Sequence, residues 1–189
     1  LWRPHQFDIY NLMDHLIAEA GVTAAMMPEP VDMASDAMFN HPITFMTGQY
    51  EFEYDSDDTE NVRKFLQKGG FLFAEPCCGQ KAFDKAFRKF IKDVMPDEDL
   101  KRIPIDHEIF TIGHDIRKVK YREPVRKKLP DLDEPVLEGI SINGRYAVIY
   151  TSFNFSIGLN GHHCPFCWGY SKEDSLKVAA NIVLYALNN

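Results

Sequence analysis

No stretch of this 189-residue sequence comes near the roughly 18 consecutive apolar residues that a membrane-spanning helix needs. An excess of positive charge is also missing. The 21 lysines and arginines face 28 acids, for a net charge of −7. A generic nucleic-acid binder needs a broad basic surface, so that class is excluded. Cysteine is scarce: four in the whole chain are too few for a disulfide scaffold. Internal repeats and low-complexity tracts are absent. The chain opens on Leu1 rather than Met and shows no signal-peptide pattern. That start is expected to be a processed or trimmed end, so the missing signal says little about targeting; the compartment is left open, with an exported or periplasmic protein slightly favoured over a cytoplasmic one. Core material is plentiful: 45% of residues are hydrophobic and 13% aromatic, enough for one sizeable core. Residues 1–189 are therefore expected to form a single domain.

Apolar residues Phe7, Tyr10, Met13, Leu16, Ile17 and Ala20 recur at helical spacing, with Gly21 as the stop. "VTAAMM" (22–27) reads as a strand ended by Pro28. "ITFMTG" (43–48), bounded by Pro42 and Gly48, reads as a buried strand. Asp57 and Glu60 resemble a capping box ahead of the helical face Val62, Phe65 and Leu66, and Gly69-Gly70 ends that helix. "FLFAE" (71–75) is the next buried strand. Phe83, Phe87, Phe90, Ile91 and Val94 mark the most regular amphipathic helix, closed by Pro96. "VLEGISI" and "RYAVIYT" flank Asn143-Gly144, a strong hairpin signal. Ser171 can cap a last helix carrying Leu176, Ala179, Ile182, Val183 and Ala186. Strands alternating with helices predict an α/β fold: a three-layer α/β/α sandwich with a mostly parallel central sheet and an antiparallel hairpin at one side.

Residues 113–135 read as a surface insertion. Within it, positions 117–128 carry Arg117, Lys118, Lys120, Arg122, Arg126, Lys127 and Lys128 against Glu123 alone. Such a run is ordinarily a solvated face. Read functionally, it is a docking patch for an acidic protein partner or an anionic ligand. Oligomer formation is left open.

Six stretches carry a resemblance: "FNHPITFMTGQYEF", "LQKGGFLFAEPCCG", "FDKAFRKFI", "IPIDHEIF", "GRYAVIYTS" and "AANIVLYAL". In their order and spacing they resemble the bacterial domain of unknown function 4159, from about Phe7 to Leu187. That family is similar to the class I glutamine amidotransferase-like fold. The resemblance implies a flavodoxin-like sandwich and no assigned reaction, and fold alone cannot supply one. Two features depart from the family pattern. The family usually opens with a strand before its first helix, which Leu1–His5 is too short to supply, and the basic segment 117–128 looks like a local elaboration.

The four cysteines fall into two pairs, Cys77-Cys78 after the strand 71–75 and Cys164-Pro-Phe-Cys167 in a loop after the strand 145–151. Ligand sites of open α/β sheets lie beyond the carboxyl ends of the parallel strands. If these two strands are parallel, both pairs reach one edge. Three chemistries compete there. Cys77, Cys78, Cys164 and Cys167 could hold zinc or a single iron, with His163 or His162 able to replace one of them. Adjacent cysteines in extended chain point apart, so a turn at Pro76 or Gly79 would have to redirect one. Alternatively, Cys164 and Cys167 could form and break a disulfide. The third chemistry follows from the resemblance: amidotransferases set a nucleophilic cysteine at a strand-to-helix turn, the place of Cys78. That mechanism needs a histidine base, for which His107 is the candidate, yet no His-x-Glu pair stands near the C-terminus. Four inert buried thiols are the remaining reading.

Glu75 beside the cysteines could bind a ligand or act as general base, or simply face solvent at the strand tip. Asp106 and His107 suit a turn cap and a backbone hydrogen bond. Trp168 and Tyr170 either roof the site or pack. Thr47-Gly48-Gln49 could offer backbone donors to a small ligand. The expectation is a non-catalytic amidotransferase-like domain that binds zinc or iron, or a small ligand, within a larger assembly. The alternatives are a hydrolase or amidotransferase using Cys78 and a redox site at Cys164 and Cys167.

Overall fold

A computed structural model describes residues 7–23, 28–161 and 164–189. Helix α1 (Asp8–Ala20) buries Leu12 and Leu16 and stops where Gly21 adopts a left-handed φ of 64°. The strand read at 22–27 falls mostly on positions 24–27, outside the described residues, and Val22 and Thr23 belong to no element. Strand β1 (Ile43–Gly48) precedes helix α2 (Ser56–Gln67). The capping box of α2 sits two residues before the expected one. Asp55 Oδ1 accepts from the amides of Asp57 and Asp58 at 2.8 and 3.1 Å, and Asp58 answers on the Asp55 amide at 3.0 Å. Aspartate thus does the work expected of Glu60, which pairs with Lys64 instead.

Strand β2 (Phe71–Pro76) is buried at every position and leads into helix α3 (Lys81–Val94), whose Phe83, Phe87, Phe90, Ile91 and Val94 are all buried. Then come the short strand β3 (Lys101–Arg102), helix α4 (Glu123–Lys128) and strand β4 (Glu138–Ile142). Asn143 and Gly144, at φ 53° and 84°, turn the chain into β5 (Arg145–Tyr150), as the hairpin signal requires. Helix α5 (Ser156–Leu159) is one turn. Helix α6 (Lys172–Asn188) starts at Ser171, whose Oγ accepts from the Asp174 amide at 3.2 Å.

The strands form one sheet in the order β1-β2-β5-β4-β3. β1 with β2 and β2 with β5 are parallel, while β5 with β4 and β4 with β3 are antiparallel. β1 is half-buried rather than buried, because it is the outer strand on its side among those described. Alternate side chains leave the sheet on opposite faces. Leu72, Ala74, Val148 and Tyr150 pack with α2 and α3, and Phe71, Phe73 and Ile149 pack with α1 and α6. Residues 113–135 send Ile116, Val119, Tyr121 and Val125 into the second of these cores while their basic side chains stay outside. No helix among the described residues is long and apolar enough to cross a membrane.

Candidate functional site

Because β2 and β5 are parallel neighbours, with Ala74 opposite Tyr150, their carboxyl ends open on the same edge. Cys77 and Cys78 leave β2 there. Pro76 is still extended, but Cys78 has φ 55° and ψ 16° and Gly79 has φ 71°. Left-handed backbone costs a non-glycine residue about 1–2 kcal/mol. This turn directs the Cys78 side chain toward Cys167, while Cys77 stays buried against Gln49.

The loop 164–170 is tied to that turn by a ladder of hydrogen bonds. The Trp168 amide donates to the Cys78 carbonyl at 3.2 Å, the Asn154 amide to the Trp168 carbonyl at 3.0 Å, and the Tyr170 amide to the Asn154 carbonyl at 3.1 Å. From the other side, the Arg122 amide donates to the Gly169 carbonyl at 2.9 Å and its guanidinium to the Cys164 carbonyl at 3.0 Å. The basic segment therefore braces the cysteine loop. Several of its cations are already matched, Arg117 by Asp115, Lys118 by Asp133 and Lys127 by Glu123. Lys128 lies 5.6 Å over the Trp168 ring.

The result is a cluster of three sulfurs. Those of Cys78, Cys164 and Cys167 lie within 4.8 Å of one another, with Cys167 buried and the other two half-buried. Cα separations are 4.3 Å for Cys78–Cys167 and 5.6 Å for Cys164–Cys167. Cys167 is within bonding reach of both partners. A sulfur enters one disulfide at a time, so the two pairings exclude each other. The cluster can hold a metal or act as a redox site.

Of the ligands suggested by the sequence, Cys77 is not in this cluster, and His163 lies outside the described residues. Cys77 is fully buried, and Gln49 Nε2 donates to its sulfur at 3.4 Å. Burial pushes its thiol up, and the nearby carboxyls of Glu75 and Asp8 push the same way. Its thiolate, the form a metal needs, is therefore disfavoured.

Glu75 does not face solvent at the strand tip; it is fully buried. Its Oε1 accepts from Asn154 Nδ2 at 2.7 Å and from the Ser156 hydroxyl, and its Oε2 accepts from the Phe155 amide. The Ser156 amide leans on both oxygens at 3.3 and 3.4 Å. Burial nevertheless outweighs these donors and lifts its pKa to about 8. Glu75 is thus a clamp between β2 and the turn that carries the loop's ladder. Sequence reasoning missed this role. The signal was polar residues Asn154 and Ser156 in an apolar stretch after β5.

His107 is placed elsewhere. Its Nδ1 accepts from the Ile109 amide at 3.2 Å, and its ring meets Tyr146 and Tyr185 edge-on, beside the start of β5. Cys78 lies past the opposite end of the parallel strands, and no described histidine is hydrogen-bonded to it. Trp168 and Tyr170 both pack: Trp168 stacks on Phe153, and Tyr170 is buried against Tyr121.

No protein of curated function matches the chain. Residues 5–187 match a family described as a domain of unknown function, and the chain belongs to that family, DUF4159.

Proposed function

We propose that residues 1–189 form a single, non-catalytic, amidotransferase-like domain that holds one zinc or iron ion. The ligands are Cys78, Cys164 and Cys167, with His163, or His162, as the fourth. One observation carries this reading: three sulfurs from two remote segments converge on one point. A disulfide would use only two of them, whereas a tetrahedral ion uses all three and needs one more donor. Cys-x-x-Cys is ordinary spacing for half of such a site. The Arg122 guanidinium sets a positive charge beside the loop, which favours thiolates. A flavodoxin-like three-layer sandwich is supported by the parallel β1-β2-β5 core with helices packed on each face. An acidic partner docking on 117–128 is less well supported, since several of its cations already have acids beside them.

Elemental analysis of protein purified without chelator tests the metal. About one equivalent of zinc or iron is expected, with all four thiols titrating once the protein is denatured and the ion chelated. Less than about a tenth of an equivalent, together with two titratable thiols, refutes it in favour of a disulfide.

The second reading rests on Cys167 having two alternative partners. A disulfide could pass from Cys164–Cys167 to Cys78–Cys167 by attack of the remaining thiolate, releasing the displaced thiolate with no net oxidation. That reading suits an exported, oxidising setting.

A further inference from the structure

Where α1 meets the segment before Ile116, far along the chain from any cysteine, two histidines meet. His15 Nε2 and His114 Nε2 are 3.2 Å apart, with ring centroids 5.4 Å apart and planes inclined by 25°. The two residues come from segments 99 positions apart, and both are half-buried. We propose that this pair is a second binding site, for a divalent transition metal of the zinc, nickel or copper kind, separate from the cysteine cluster.

The spacing is the first argument. Imidazole nitrogens bind such ions at about 2.0–2.1 Å, so two of them at a right angle to a tetrahedral angle are about 2.9–3.4 Å apart. The observed 3.2 Å lies inside that window. Both rings present the same atom, Nε2, leaving each Nδ1 for the outer contacts that orient metal-bound histidines. Imidazole is the ligand these ions share.

Preorganisation is the second argument. His15 stands on α1 between Leu12 and Leu16, both core residues that fix the helix. His114 is held by Asn181, a fully buried side chain of α6. Asn181 Oδ1 accepts from the His114 amide at 2.8 Å, and Asn181 Nδ2 donates to the carbonyls of His114 and Ile109, each at 2.8 Å. Two of the three bonds of this buried amide go to the His114 backbone and hold it at a set distance from His15.

Charges of both signs act on His114. Glu19 lies one helical turn beyond His15, on the same face, and acts electrostatically on His114. Its carboxylate acts only through its charge, so water completes the shell around the two imidazoles. Lys177 also faces His114, but its charge is matched by Glu173 at 2.6 Å. Partial burial, together with His15 and Lys177, holds the His114 imidazole below its usual range, so it is neutral and able to ligate near neutral pH.

Nickel is the probe, in calorimetric titration of the tag-free protein near neutral pH. One nickel equivalent is expected. His15→Ala and His114→Gln should each weaken it by more than about tenfold, since even an outer-shell partner of a metal ligand commonly carries that much. Glu19→Gln should weaken it less, and Cys78→Ser should leave it intact. His15 and His114 are half-buried, so circular dichroism of the variants checks that the fold persists; if one variant unfolds, the other carries the test. No nickel binding by the wild-type protein overturns the proposal, as does an isotherm unchanged in the folded histidine variants. Loss of nickel only with Cys78→Ser assigns the metal to the cysteines and overturns it too.

Discussion

Cys78 and Cys167 stand 4.3 Å apart at their Cα atoms, although 89 positions of sequence separate them. The Trp168 amide on the Cys78 carbonyl holds them there. Cys77, one residue away, is on the other side of a left-handed turn.

This division between neighbours predicts opposite behaviour. Cys167→Ala should abolish metal retention, because it removes the sulfur shared by both other cysteines. Cys77→Ala should leave metal content unchanged. Metal-to-protein ratios of the two purified variants decide it, and equal loss in both would disprove the three-sulfur site.

Gly79 makes a second prediction. Its φ is 71°, and an added Cβ would strike the Cβ and carbonyl of Trp168. Gly79→Ala should therefore strain the turn and push the 164–170 loop off Cys78. A loss of at least about 1 kcal/mol in denaturant unfolding is expected, with faster release of metal to a chelator. Unchanged release would show that the ladder does not hold the cluster.

Glu75 should make stability depend on pH. Its folded pKa of about 8 lies well above the ordinary carboxylate value, because it is buried. Over the interval between these values the folded protein keeps a proton that the unfolded chain releases. The stabilising contribution is therefore complete below about pH 4.5 and is lost as pH rises through about 8. Denaturation midpoints should fall across this interval, and Glu75→Gln should flatten the fall. The glutamine has its own cost. An amide donor would meet either the Phe155 amide or Asn154 Nδ2, and Asn154 cannot flip freely because its Oδ1 accepts from Ile157. A wild-type curve that does not fall with pH would contradict the assignment.

His107 should prove structural. His107→Ala removes a side chain that caps residues 108–110, so a stability loss of about 0.5–2 kcal/mol is expected. The rate at which Cys78 reacts with a thiol probe should not change. A large fall in that rate would revive the nucleophile reading.

Much of the fold was legible because it depends on local patterns. The four-and-three spacing of Phe83, Phe87, Phe90, Ile91 and Val94 dictates a one-faced helix wherever it is placed. Asn143-Gly144 dictates a two-residue hairpin because both positions need positive φ. The edge position of β1 was not legible, because an outer strand carries the same apolar residues as an inner one. The capping box moved by two residues because aspartates at several positions could serve equally in sequence.

The sequence alone determined that two cysteine pairs follow two strands, and that parallel strands would bring them to one edge. Only the tertiary structure decided which sulfurs meet. A left-handed residue at Cys78 directs its sulfur to the loop, and a backbone ladder through Trp168 and Asn154 carries Cys167 to it. The burial of Glu75 and the meeting of His15 with His114 were settled the same way. Each depends on distances between segments remote in the chain, and local residue preferences do not encode such distances.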